Sequence, residues 1–588
     1  MTTTATVTQE SGDARRASAH AADEARELAG SHILCEALVR EGVELLYGYP
    51  GGAIMPFYDA LPAYPRLHHV LVRHEQAAAH AADGYARATG KVGVCVATSG
   101  PGATNLVTGL ATAYMDSTPV VAITGQVGRP FIGRDAFQET DVLGLTLPIT
   151  KHNFLVRHVE ELADVVHEAF QLARSGRPGP VLVDVPKDVQ FAKTVYRPAA
   201  SVRSIELYRA TRVPQPAPEA IQQAARLIAQ ARRPVIMSGH GVILSNAYAE
   251  LRALAEKANI PVITTLLGLS AFPVEHPLFL GMPGMHGPAF VNRAIGVTDL
   301  IIGIGLRFDD RVTGKVSEFA PQAQIIHIDI DPSELNKVKP AAVPILADAK
   351  AALAALVEAV EPGDHQEWLS ELRQWEAEEQ ERARRLRRPA SYPTPTDILD
   401  AIYEVTDGEA TVVSDVGQHQ MWTARFYKWT HPNSHITSGG LGTMGFALPA
   451  AMGVKMGRPE ATVWVVAGDG GIQMNIQELA TIRDEGVEVK VAIMNNGYLG
   501  MVRQWQEFFH QRNYSETPIS SPDYVKLAEA YGLTGIRVER REDVQAAVQQ
   551  AMQTPGTVII DFAIEAEANV YPMVPPGAAI TDMIIERE

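Results

Sequence analysis

Cysteine is nearly absent from this chain: its 588 residues include only Cys35 and Cys95. That excludes a disulfide framework and a cysteine-based zinc site. Both thiols sit in apolar runs and read as buried and reduced, as in a cytoplasmic protein. No apolar run reaches the roughly 18 residues that a transmembrane helix needs. A basic excess is missing too. The formal net charge is −17, which argues against nucleic acids and anionic membranes as partners. No short-period repeat occurs. Residues 1–30 are rich in threonine, alanine and charges and lack the apolar centre of a secretory signal, so they read as a disordered tail.

What is present is α/β patterning in three blocks. In the first, 31–195, short β-branched runs alternate with alanine-rich stretches: strands are expected over 92–98 and 119–124, and a helix over 103–114. That alternation predicts βαβ units and a parallel sheet. Pro214, Pro216 and Pro218 mark a linker. The second block, 219–362, has strand candidates at 234–238, 261–265, 300–305 and 324–330. Residues 363–395 read as a linker whose charged run, 376–388, predicts a solvated helix. The third block, 396–570, is again α/β, and the proline-bearing stretch 571–588 reads as an arm. Blocks one and three share length and alternation, as duplication would give.

The most informative region is 463–498. A buried-strand run, 463–467, leads into Gly468, Asp469, Gly470 and Gly471. Helical spacing follows over 476–484, then a second strand over 487–494 ending at Asn495 and Asn496. Asp469 and Asn496 lie 27 residues apart, yet one βαβ unit brings both to neighbouring carboxyl ends, where open α/β sheets bind ligands. The glycines let backbone approach an anion closely. A carboxylate beside an amide oxygen suits Mg²⁺, which keeps coordination places for phosphate oxygens. The pattern therefore reads as Mg²⁺ bridging a diphosphate, and it resembles the thiamine diphosphate fingerprint. By that resemblance Asp469, Asn496 and the Tyr498 carbonyl are the metal ligands, with Gly470 and Gly471 beside the cofactor.

Thiamine chemistry needs an acid that hydrogen-bonds N1′ of the aminopyrimidine. Glu75 is the candidate: strand-like 70–73 precedes it and an alanine-rich helix, 77–88, follows. The stretch RHEQAAAHAADGYAR at 73–87 resembles the corresponding stretch of the same superfamily.

Further stretches resemble acetohydroxyacid (acetolactate) synthase, catalytic large subunit, over nearly all of 31–588. They include YPGGAI at 49–54, TSGPGATN at 98–105, RFDDRVTG at 307–314, DVGQHQMW at 415–422, TSGGLGTMGFALPAA at 437–451 and MVRQWQ at 501–506. The resemblance implies three doubly wound parallel-sheet α/β domains: pyrimidine-binding, a Rossmann-like central domain carrying FAD, and diphosphate-binding. It implies that Gln418 and His419 contact the diphosphate, that Gly442 and Met444 hold the aminopyrimidine, and that Gln126 lines the substrate cavity. Arg177, His286, Arg307, Asp329 and Asp348 would contact the FAD, which is structural in this family. Arg311 would grip the second keto acid and Trp505 would shape its pocket. The implied reaction decarboxylates pyruvate and transfers its hydroxyethyl group to pyruvate or 2-ketobutyrate, in branched-chain amino acid synthesis. Pyruvate oxidase and simple 2-keto acid decarboxylase are the alternatives. A homodimer or tetramer, pairing the first block of one subunit with the third of another, and a small regulatory subunit are also implied. Gly128 stands where many members have proline, beside the channel where herbicidal inhibitors bind, and this predicts weakened sulfonylurea sensitivity.

Overall fold

A computed structural model describes residues 26–199, 213–386 and 390–586. Most of the expected tail lies outside these residues. Its last part does not behave as a tail, however: Glu27–Ala29 forms a strand paired antiparallel with Lys193–Val195, and a helix begins at Gly30. The ladder supplies backbone partners that a frayed end would lack.

Three six-stranded parallel sheets organise the chain. Across the first sheet the strands run His68–Leu71, Leu45–Gly48, Gly93–Ala97, Val120–Gln126, Val181–Pro186, His152–Leu155. Across the third they run His435–Thr437, Thr411–Ser414, Val463–Gly468, Lys490–Asn495, Val558–Ala563, Thr534–Val538. Counted by appearance, both orders are 2-1-3-4-6-5, a topological identity that duplication explains. The middle sheet runs Phe279–Gly281, Val262–Thr264, Pro234–Ser238, Leu300–Ile304, Gln324–Asp329, Val343–Leu346, which is 3-2-1-4-5-6, the Rossmann order. Central strands such as Val120–Gln126 are buried throughout, as expected where helices cover both sheet faces.

The first and third domains are fused through two helices, Glu75–Thr89 and Ala447–Gly457. A Cβ on Gly84 would lie 2.1 Å from the Ala450 carbonyl oxygen, and one on Gly453 would lie 1.9 Å from that of Ala81. Backbone meets backbone there, and only glycine permits it. One hydrophobic cluster, including Ala78, Ala81, Leu110, Phe446, Ala450 and Val465, runs through both domains.

The helix expected over the charged run is present, but it starts earlier and is not wholly solvated. Gln366–Leu386 is one helix. Trp368, Leu372 and Trp375 fall on one face and are buried against the central domain, where Trp368 Nε1 donates to the Pro234 carbonyl at 3.2 Å. The charged run forms its outer end, and residues 387–388 lie outside the described ones. Apolar residues spaced by four and three positions gave that helix a buried stripe, which a reading of its charges alone overlooks. The 571–588 arm, described to 586, lies against the central domain: Val574 N–H donates to the Met285 carbonyl, and Lys315 N–H donates to that of Ala578. Among the described residues, no helix is long and apolar enough to cross a membrane.

Candidate active site

Three neighbouring strands of the third sheet deliver the site. Thr411–Ser414 leads to Gln418 and His419 at the start of a helix. Val463–Gly468 ends at Asp469, and Lys490–Asn495 ends beside Asn496. Gly468 pairs with Met494, so the Asp469 and Asn496 turns emerge side by side. Asp469 Oδ2 accepts from Gly497 N–H at 2.9 Å and from Ser521 Oγ at 3.1 Å. Burial pushes the Asp469 carboxyl up to about 6, although these donors oppose the shift. Asn496 Nδ2 donates to Gln418 Oε1 at 3.3 Å, and Tyr498 N–H donates to Asn496 Oδ1 at 3.2 Å. Gln418 is fixed in turn by donating to Gln504 Oε1 and the Ala568 carbonyl.

Gln418, His419, Met444, Asp469, Gly470, Gly471, Asn496 and Tyr498 line one small cavity. Burial lowers His419 to about 3, so its ring is neutral, and its Nε2 is buried without a protein partner. Because His419 also lines this cavity, its ring is placed where a ligand could partner it. No group of three acids, histidines or cysteines is suited to a metal among the described residues; the oxygen set here needs only one acid. Gly442 and Gly445, at φ 71° and 85°, bracket Met444, so the loop bends twice to carry a single long side chain. Asp415, which sequence reasoning left without a role, accepts from Gly445 N–H at 2.9 Å, and its burial raises the carboxyl to about 7.

The small cavity shares Val416, Gly417, Met444, Met501 and Val502 with a larger one of about 1030 Å³. Arg177, His286, Arg307, Arg311, Asp329, Asp348, Gly442 and Trp505 all line the larger one. Asp329 closes a central strand, and burial pushes its carboxyl up to about 6. Asp348 caps the Ala349–Ala359 helix. Arg177 is already committed to Ser117, Asp331 and Glu334. Arg311 is exposed and pairs with Asp310 at 3.3 Å.

Two expected residues are not brought here. Gln126, expected to line the substrate cavity, lines neither cavity. It donates instead to the Thr140 carbonyl and Asp184 Oδ2, both at 3.0 Å, inside the first domain. Glu75 also lines neither. It opens its helix just after His74, whose side chain caps Gln76 N–H, and it accepts from Asn105 Nδ2 at 2.9 Å. Both residues lie at carboxyl ends of first-sheet strands.

This fold and this cluster define a thiamine pyrophosphate enzyme. Three family models match in order: the N-terminal TPP binding domain over 28–145, the central domain over 221–356 and the C-terminal TPP binding domain over 415–562. The acetolactate synthase of Mycobacterium bovis is 49% identical over 567 residues, covering 94% of this chain and 91% of that protein. The acetolactate synthase isozyme 2 large subunit of Escherichia coli K12 is 47% identical, covering 94% and 99%. A probable acetolactate synthase large subunit of Methanocaldococcus jannaschii is also 47% identical, covering 94% and 95%. The chain belongs to the acetolactate synthase family.

Proposed function

We propose that this chain is the catalytic large subunit of an acetolactate synthase. It decarboxylates pyruvate on thiamine diphosphate and transfers the two-carbon unit to a second 2-keto acid, pyruvate or 2-ketobutyrate, toward valine, leucine and isoleucine. The observation that carries this reading is the Asp469–Asn496–Gln418–His419 cluster, whose cavity shares Met444 as a wall with the larger one. Thiamine diphosphate supplies the electron sink for loss of carbon dioxide.

The chain's residues bind and orient around that cofactor. Asp469, Asn496 and the Tyr498 carbonyl offer hard oxygen donors to Mg²⁺. His419 Nε2, which lacks a partner among the described residues, and Gln418 meet the diphosphate, and Gly470 and Gly471 let the backbone approach it. Gly442 and Met444 would hold the aminopyrimidine, which is catalysis by positioning. Arg311 clamps the carboxylate of the second keto acid, and Trp505 bounds its side-chain pocket. The larger cavity takes FAD as a structural cofactor. Its size and its Rossmann-ordered sheet, with Asp329 at a strand end for ribose hydroxyls, support this, and Arg177, His286, Arg307 and Asp348 complete the contacts.

Glu75 hydrogen-bonds N1′ of the aminopyrimidine and moves the proton there, and it does so in the site of a second copy of the chain. Its position outside both cavities of its own chain supports that arrangement. Gln126 likewise serves the neighbouring site. The assembly is a cytoplasmic homodimer or tetramer joined by a small regulatory subunit.

The test is pyruvate turnover with Mg²⁺, thiamine diphosphate and FAD, with Glu75→Gln alongside. Acetolactate that falls by about 100-fold or more in the variant is expected. Acetaldehyde as the main product would make the chain a simple decarboxylase, and oxygen uptake would make it a pyruvate oxidase.

A further inference from the structure

The loop that carries Gly442 and Met444 is held from outside its own domain. Asp116, at the end of the first-domain helix Val107–Met115, is buried at 1% exposure. Its Oδ1 accepts from Gly440 N–H at 2.6 Å and its Oδ2 from Gly439 N–H at 3.1 Å. Arg87, at the far end of the Glu75 helix, donates to the same Oδ2 at 2.9 Å and to the Thr437 carbonyl at 2.9 Å. Arg87 is itself fixed by Asp83. A little further along the loop, Thr112 and Thr443 share a hydroxyl–hydroxyl bond of 2.7 Å. The fit leaves no slack: a Cβ on Gly440 would come within 2.8 Å of Asp116 Oδ1, and one on Gly439 within 2.6 Å of Leu267 Cγ from the central domain.

We propose that Asp116 is a positioning residue for thiamine diphosphate: by fixing the Gly439 and Gly440 amides it sets the height of Met444 in the cofactor cavity. The argument is one of valence. Asp116 offers acceptors only, and three donors converge on it. An asparagine of the same shape has a single oxygen and presents an N–H₂ group where a second acceptor is needed. One loop amide then loses its partner at the wall of the larger cavity, and the loop gains conformations that must be frozen when the cofactor binds. The charge matters as well as the shape. Arg87 is 5% exposed and faces two carboxylates, so neutralising one loosens the arginine that also grips Thr437. The proposal rests on reading Gly442 and Met444 as cofactor contacts.

The experiment compares the full-length parent with Asp116→Asn by amide hydrogen exchange without cofactor, and by titrating thiamine diphosphate in saturating Mg²⁺ with tryptophan fluorescence. Exchange over 438–445 should accelerate about tenfold while the Glu75–Thr89 helix keeps its protection. The dissociation constant for the cofactor should rise about tenfold. Turnover at saturating cofactor should recover to within about threefold, a split between affinity and rate that a general folding defect does not give. Thr112→Val, which cuts the neighbouring neutral tether, should move the same segment less and provides the measurement if the first variant does not fold. Unchanged exchange over 438–445, or acceleration spread evenly over all three sheets, overturns the clamp. Unchanged cofactor affinity in Met444→Ala overturns the reading of the loop on which it rests.

Discussion

Replacing Gly453 with alanine adds one methyl group where two helices touch through their backbones. The new Cβ would sit 1.9 Å from the Ala81 carbonyl oxygen, 2.8 Å from its carbon and 2.9 Å from the Tyr85 nitrogen. Real Cβ atoms essentially never come within 3.0 Å of another heavy atom. Every obstructing atom is main chain, so no rotamer change relieves the clash. The Glu75–Thr89 and Ala447–Gly457 helices must part by more than about 1 Å. Overpacking of this kind costs about 1–3 kcal/mol and occasionally more, a melting shift of roughly 2–10 °C at this domain size. The larger effect should be on catalysis. Glu75 begins one helix, and Met444 lies three residues before the other. A displacement of about 1 Å at reacting groups can cost about 100-fold in rate. Thermal melting and pyruvate turnover at saturating cofactors measure the two effects. A Gly453→Ala enzyme that melts within about 1 °C of the parent and keeps its turnover would refute this account of the helix contact.

Burial pushes the Asp184 carboxyl up to about 7, against bonds from Thr124 and Gln126. The unfolded chain releases this proton near about pH 4, so the group's contribution to stability falls as pH rises from about 4 to 7. Asp184→Asn carries no such proton, and its urea midpoint relative to the parent should rise between about pH 5 and pH 8; a pH-independent offset would contradict this. Asp469→Asn should weaken Mg²⁺ by at least about 100-fold, since even outer partners of metal ligands are worth 10–100-fold, and the Mg²⁺ dependence of turnover reads it. Gly128 has φ −54°, within proline's range, and nothing closer than 3.7 Å to an added Cβ. Gly128→Pro should therefore fold normally and tighten sulfonylurea inhibition, and inhibition curves that superimpose would dispose of the idea.

The sheets were legible because fully buried parallel strands leave compact β-branched runs, as at 234–238 and 463–467, and the structure keeps these within a residue or two. The meeting of Asp469 and Asn496 was legible because the two close neighbouring strands, a relation that local spacing encodes. Edge strands were harder. His152–Leu155 is only partly buried and has no apolar run to announce it. The buried stripe of the Gln366–Leu386 helix was hidden by the charge of its other end. Asp116, Asp415 and Glu478 escaped for a different reason. Glu478 accepts from Arg73 N–H at 3.0 Å across 405 positions, and Asp116 reaches Gly440 across 324. A lone acid gives no local sign of a backbone partner so distant. That Glu75 and Gln126 stand outside the chain's own cavities is a matter of how domains are stacked, which periodicity does not report.

That separation has a genetic consequence. If, as proposed, the Glu75 acid serves one site of the oligomer and the Asp469 carboxylate another, a lesion at either position inactivates every site of a pure oligomer. When the two defective alleles are expressed together, each mixed dimer gathers both lesions into one site and leaves the other intact. Random assortment then returns about a quarter of the normal complement of working sites. Two strains that each require branched-chain amino acids could thus yield a diploid that does not, with no recombination between the alleles.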